Sequence, residues 1–146
     1  MGVLLRGEVG DFVWNNRGWA ALVHLAWDHG WRPLGTEPPL HWGMHEPGAT
    51  TTDWPRADYV TGRGQRVRTE DARNLAEALS RCLDDLPNHD ALAEKGAPRL
   101  DIPGYPAWRH LPSGAPISPF ELFGGPNKEG FRSFIAFCRS GGFTIW

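Results

Sequence analysis

Two histidines four residues apart are the first pair of side chains in this chain that could do chemistry. His41 and His45 would face one cation if they lay on a helix, because residues four apart share a helix face. Neutral imidazole suits zinc, iron, nickel or copper. His24 and Asp28, also four apart, are the candidates to complete the ligand set. These four residues define the metal site that the sequence allows.

The surroundings of this histidine pair argue against the metal site. Pro39 and Pro47 flank the pair and Gly43 lies inside it, and both residue types disfavour a helix. A spacing of two histidines also meets few of the requirements for ligand number and geometry. We therefore favour loop histidines that solvate a turn or pack against tryptophan, and we expect no cofactor and no metal.

Other catalytic signatures are missing from the sequence. It contains no GxxxxGK(S/T) phosphate loop, no GxSxG elbow, no HExxH and no CxxC, the motifs that would place a reactive group in a defined context. Cys138 falls on the apolar stripe of a predicted helix, where burial raises the pKa of a thiol. A small metal-assisted enzyme that uses His41 and His45 is therefore the second interpretation and not the first.

Eight tryptophans are the strongest signal in the composition. A large ring with one donor on a loop is a rigid anchor for a partner interface or a ligand cleft. Such rings also bury much area and can anchor a long loop on a small core. A binding role and a structural role therefore both stay open. The candidate binding residues are four tryptophans in or beside the Pro/Gly-rich segments, together with one tyrosine: Trp31, Trp42, Trp54, Trp108 and Tyr59.

The clearest element that must position these residues is a helix from Thr69 to Leu86. Thr69 is a good cap, and the two acidic residues that follow it suit the positive end of a helix dipole. Pro87 ends the helix. Its apolar positions repeat at spacings of three and four: Ala72, Leu75, Ala76, Leu79, Cys82, Leu83 and Leu86.

Two further helices are predicted from caps and periodicity. One runs from Arg17 to about His29, after Asn15 or Asn16 as the cap. The other follows Asn127 as its cap and ends at a pair of glycines. Ser118-Pro119 starts a single turn before it.

The remaining pattern predicts short strands and long loops. A strand or extended arm is expected within residues 2–14, a small hairpin joins 59–60 to 66–67, and residues 143–146 form a strand docked into the sheet. Two irregular segments rich in proline and glycine span 32–58 and 88–126. The sequence therefore predicts one α+β domain, 1–146, with three helices packed on a small antiparallel sheet.

Charge and cysteine content exclude several classes of function. A net charge of −2 gives no field that would hold the chain on nucleic acid or an anionic membrane. Two cysteines are too few for the disulfide framework of a small secreted domain. The N-terminal apolar run of three residues is too short for a signal peptide or a membrane span. We expect a cytoplasmic protein.

Two segments carry a resemblance to short bacterial proteins to which no activity is attached. They are GQRV followed by the helix segment DAxxLAEAL, residues 64–79, and the ending FCRSGGFTIW, residues 137–146. The resemblance covers these segments and not the loops between them. It implies a bacterial, intracellular origin and transfers no site residue.

These observations favour a non-enzymatic binding module of a regulatory or immunity type. The single domain, the missing catalytic motifs and the loop aromatics together predict a protein partner, engaged through the loop at about residues 31–59. A small-molecule sensor with an aromatic pocket is a third interpretation, and it differs by predicting thermal stabilisation when the ligand is added.

Overall fold

The structure is a computed structural model that describes residues 2–39, 56–97 and 111–146. Its described strands form one antiparallel sheet, in the order β2-β1-β5-β4-β3. The strand from the end of the chain thus lies in the middle of the sheet. The strands are β1 (Gly2–Gly7), β2 (Asp11–Asn15), β3 (Thr36–Glu37), β4 (Gln65–Val67) and β5 (Phe143–Ile145).

The described part of the chain holds six helices beside this sheet, and the α+β class predicted from the sequence is confirmed. Three are long, as the periodicity predicted, and three have only four or five residues. They are α1 (Asn16–Asp28), α2 (Ala57–Val60), α3 (Thr69–Leu83), α4 (Ala91–Glu94), α5 (Pro119–Phe123) and α6 (Lys128–Arg139), with a 3-10 turn at Gly125–Asn127.

Each face of the sheet has its own character, because side chains alternate along a strand. Val3, Leu5, Val67, Phe143 and Ile145 are buried on the face that joins the core. The pairing register aligns polar residues across the other face, in the order Asp11, Arg6, Thr144, Arg66 and Glu37. The helices therefore cover one face, and a polar row crosses the opposite one.

Local sequence explains where α1 begins and ends and where the short helix α5 begins. Asn15 caps α1, since its side-chain oxygen accepts from the amide of Gly18 at 2.6 Å. Gly30, at φ +89°, follows the helix in the left-handed conformation that glycine adopts without cost. Ser118 caps α5 in the same way as Asn15, by accepting from the amide of Glu121 at 3.2 Å. These three signals were readable in the sequence.

An aromatic centre holds the sheet and the long helices together. The ring of Phe134 on α6 meets Phe12, Trp14, Trp19 and Phe143, edge to face, at centroid distances between 5.1 Å and 6.4 Å. Edge-to-face contacts of this kind add to the stability that burial provides. The core thus joins residues from both ends of the described chain.

The predicted hairpin at residues 59–67 is wrong. Tyr59 and Val60 belong to helix α2, and only the second half of the segment forms a strand, β4. The buried side chain of Gln65 sets this geometry. Its amide nitrogen donates to the carbonyl oxygens of Asp58 and Thr61 at 2.9 and 2.7 Å, and its oxygen accepts from the amide of Arg63. Because buried polar groups need hydrogen-bond partners, these three bonds hold the segment in a turn instead of a hairpin.

The predicted cap of α3 is wrong, whereas Asn127 is the cap residue of α6 as predicted but without a capping bond from its side chain. Helix α3 begins at Thr69 with Arg68 as its cap residue, and the hydroxyl of Thr69 accepts instead from the amide of Gly142 at 3.2 Å. Asn127 makes no side-chain capping bond to α6. Its amide donates to the carbonyl of Leu122 at 2.7 Å. The Thr69 side chain thus bonds α3 to the segment before β5, and the Asn127 side chain bonds the start of α6 to α5. Such bonds compete with capping for the same side-chain groups.

Both cysteines are free and buried. Burial raises the pKa of Cys82 to about 11 and the pKa of Cys138 well above its ordinary value. Within the ranges that the structure describes, no helix has the length and apolar character needed to cross a membrane.

Candidate functional site

Two of the predicted binding residues, Trp31 and Tyr59, lie in the core. Each is only 1% exposed. The indole of Trp31 donates to the carbonyl of Asp71 at 2.9 Å, and the Tyr59 hydroxyl hydrogen-bonds the hydroxyl of Thr36. Burial raises the pKa of Tyr59 to about 12. In this structure both rings anchor the loop in the core, and neither has a surface that a partner could contact.

The other predicted binding residues fall elsewhere. Trp42, Trp54 and Trp108 lie outside the described residues, as do His41 and His45. Their predicted roles stay predictions.

The remaining two metal candidates, His24 and Asp28, form a pair on the surface of α1. Their Nε2 and Oδ2 atoms are 3.2 Å apart, and Nδ1 of His24 lies 2.6 Å from the guanidinium of Arg56. Both ring nitrogens therefore already have partners. Across the described ranges, no three His, Cys, Asp or Glu side chains gather in a group that would hold a metal ion.

A buried carboxylate in the first turn of α3 positions an exposed segment of the predicted binding loop. Asp71 is 2% exposed. Its two oxygens accept from the backbone amides of Leu34 at 2.8 Å and Gly35 at 3.2 Å. Charge-assisted bonds to backbone amides are among the stronger hydrogen bonds in proteins. We call this arrangement the Asp71 latch, because it fixes the backbone of the loop against α3.

Leu34 is the apolar side chain that the Asp71 latch presents. It is 61% exposed although its own backbone is fixed. Beside it runs a groove of about 380 Å³, which we call the Leu34 groove. The residues that line it are Leu34, Gly35, Glu37, Arg66, Arg68, Thr69, Glu70 and Asp71.

The charges along the Leu34 groove differ in how they are paired. Arg66 lies between two carboxylates, 3.2 Å from Glu8 and 3.5 Å from Glu37. Arg68 and Glu70 are exposed, and the described residues provide no ion pair for either of them. The groove therefore offers one apolar side chain with one unpaired charge of each sign beside it.

The titratable groups with shifted pKa values have structural roles away from the groove. The side-chain hydrogen bond from Lys95, at 2.6 Å, lowers the pKa of Glu121. The other shifted groups are the buried tyrosine and the two buried cysteines described above. None of these groups lines the Leu34 groove.

Neither the buried role of Asp71 nor the exposure of Leu34 is predicted from the sequence. Its place after Thr69 predicts for Asp71 only a favourable interaction with the helix dipole. Its position carries a further signal, because it stands four residues before Leu75 and seven before Ala78, on the buried side of α3. An acidic residue on a buried helix stripe needs hydrogen-bond donors. Leu34 has no comparable signal, because exposure of one loop residue depends on the packing of its neighbours.

Comparison with protein-family models, with curated proteins and with solved structures gave no significant match for this chain.

Proposed function

We propose that this protein is a non-enzymatic binding module that engages a protein partner through its 31–59 loop, with the Leu34 groove as a contact surface. The observation that carries the proposal is Leu34 itself, an exposed leucine on a backbone held by the buried carboxylate of Asp71. A regulatory or immunity-type role fits a small module of this kind.

The Asp71 latch supports binding through preorganisation. A loop that must be ordered on association loses part of the interaction free energy to conformational entropy. The amides of Leu34 and Gly35 are already fixed in the free protein. An apolar side chain presented in this way keeps more of the free energy that its burial provides.

The charges beside Leu34 support a protein partner over a purely apolar ligand. An interface consists of an apolar centre with a polar rim. Leu34 would form the centre, and the unpaired Arg68 and Glu70 would lie at the rim. The two opposite charges favour a partner with complementary charges around an apolar pocket.

The test is affinity capture from the native host with matched variants of exposed apolar residues. Leu34→Ala removes the exposed side chain. Burial of a leucine that starts 61% exposed is worth about 1–2 kcal/mol, which is about a five- to thirtyfold change in Kd. Val9→Ala is the control, because Val9 is 75% exposed and does not line the groove.

The proposal predicts a stoichiometric protein that wild type and Val9→Ala capture equally and Leu34→Ala captures less. Equal capture by all three chains would remove the Leu34 groove from the interface. A Trp42→Ala/Trp54→Ala double variant tests the rest of the 31–59 loop in the same experiment. Capture of no protein by the wild-type chain would contradict the binding-module proposal.

A further inference from the structure

The two edges of the five-stranded sheet differ in their protection against pairing with another strand. The edge strand β3 has two residues, and Pro38 and Pro39 follow it. The edge strand β2 has five residues in an unbroken register with β1, and its sequence DFVWN contains no proline and no lysine. Short length, proline, lysine and bulges are four of the features that keep a sheet edge from pairing. Strand β2 has none of them.

Asp11 and Val13 of β2 present backbone groups at this edge that the described residues do not pair. The amide of Gly7 donates to the carbonyl of Gly10 at 2.9 Å. Since hydrogen-bonded pairs alternate along an antiparallel ladder, Phe12 then bonds to β1, and Asp11 and Val13 direct their amides and carbonyls away from it. Leu4 lies opposite Val13 and, accordingly, its carbonyl points away from β2 and accepts from the amide of Trp146 on the other side of β1. No hydrogen bond to these outward groups of Asp11 and Val13 comes from the part of the chain that the structure describes.

We propose that β2 pairs with β2 of a second copy of this chain, in antiparallel orientation about a two-fold axis at Phe12. Asp11 of each copy then lies opposite Val13 of the other. Each such pair exchanges two backbone hydrogen bonds, so four bonds form and every outward group of the two residues is satisfied. The two sheets become one sheet of ten strands.

The side chains of β2 favour a second copy as the occupant. Asp11 is the one charged residue of the strand, and this register places it opposite Val13 and not opposite another carboxylate. Phe12 is half-buried and would face Phe12 of the other copy at a non-hydrogen-bonded position, where side chains approach most closely. Aromatic pairs across strands contribute to sheet stability.

The size of this contact predicts a reversible dimer. A single strand edge buries little area, and interfaces below about 1,200 Å² belong to weak or transient complexes. The Leu34 groove contains residues of β3 and β4, at the other end of the sheet. Both grooves would therefore stay open at the two ends of the dimer, and the inference does not depend on the function proposed above.

Hydrogen exchange of the wild-type chain tests the pairing at single residues. In the monomer the Val13 amide is unbonded and exchanges fast, whereas the Phe12 amide is bonded to β1 and is slow at any concentration. Exchange of the Val13 amide should slow by about tenfold once nine-tenths of the chains are paired, because it then occurs from the monomer fraction. Analytical ultracentrifugation over the same concentrations should show the mass rising from 16.3 kDa towards twice that value.

A proline variant supplies the matched perturbation. Val13→Pro removes an amide that faces away from β1, and proline is tolerated at the open side of an edge strand. The variant should keep its melting temperature within a few degrees and stay monomeric. Val13→Thr keeps the amide and should dimerise as the wild type does.

Three outcomes would overturn the proposal. The first is a wild-type chain that stays monomeric up to millimolar concentration. The second is a dimer in which exchange of the Val13 amide is independent of concentration. The third is a folded Val13→Pro chain that still dimerises. If that variant does not fold, the exchange measurement on the wild-type chain still decides between pairing and its absence.

Discussion

Replacing Asp71 with asparagine should cost far more stability than its place in the first turn of a helix would suggest. Both carboxylate oxygens accept from backbone amides, at 2.8 and 3.2 Å, and the side chain is 2% exposed. In Asp71→Asn one oxygen remains, while the new NH₂ group faces an amide that also donates. One bond is lost and two donors are brought together in a buried place.

The magnitude follows from the two bonds. A hydrogen bond to a charged group contributes about 1.5–3 kcal/mol, and a buried donor left unpaired costs about 1–3 kcal/mol. We therefore expect Asp71→Asn to lower the free energy of unfolding by about 2–4 kcal/mol. For a chain of this length, that corresponds to a fall in Tm of about 5–10 °C.

The assay is urea unfolding monitored by tryptophan fluorescence. An unchanged slope m would confirm that the variant and the wild type unfold in the same two-state transition. Glu70→Gln is the control, because Glu70 is exposed and shares the first turn of α3. It loses only the interaction with the helix dipole, about 0.3–1 kcal/mol. Amide exchange at Leu34 and Gly35 should quicken in Asp71→Asn and stay unchanged in Glu70→Gln.

Two results would refute this reasoning. One is an Asp71→Asn chain whose free energy of unfolding lies within about 0.5 kcal/mol of that of Glu70→Gln, the usual range for surface changes. The other is a destabilised chain in which the amides of Leu34 and Gly35 exchange as slowly as in the wild type. The first would show that the two bonds contribute little. The second would show that the loss arises elsewhere.

Further predictions concern buried groups and one close approach. Trp19→Phe should destabilise by about 1–2 kcal/mol more than Trp14→Phe in urea unfolding, because the indole of Trp19 donates to a carbonyl at 2.6 Å whereas that of Trp14 has no partner among the described residues; equal losses would contradict this. Lys128→Met should lower the free energy of unfolding by about 1–3 kcal/mol, since its buried ammonium donates to two oxygens at 3.1 and 2.8 Å; an unchanged urea midpoint would show that these bonds contribute nothing. Gly64→Ala should lower Tm, because Gly64 has φ +90° and an added Cβ would come within 2.9 Å of the Trp146 ring; an unchanged Tm would contradict both the backbone strain and the cost of the close approach. The two buried thiols, whose pKa values burial raises, should react with a thiol reagent at neutral pH only after unfolding, and fast labelling of the native chain would contradict their burial.

The long helices were determined by local sequence. The run of apolar residues at spacings of three and four fixes α3, and the capping oxygen of Asn15 with Gly30 beyond fixes α1. These signals act within a few residues, where side-chain spacing and backbone preference decide the structure. The α+β class followed from them together with the short strand patterns.

The site and the sheet order depended on contacts between distant parts of the chain. Trp31 reaches the backbone of Asp71 forty residues away, and Asp71 in turn fixes Leu34. Gln65 acts over a shorter range, because its side chain donates to carbonyl oxygens four and seven residues earlier, but its burial depends on the packed core. Strand β5 enters between β1 and β4. No local preference encodes these choices, because each depends on satisfying buried polar groups and filling the core once the elements have come together.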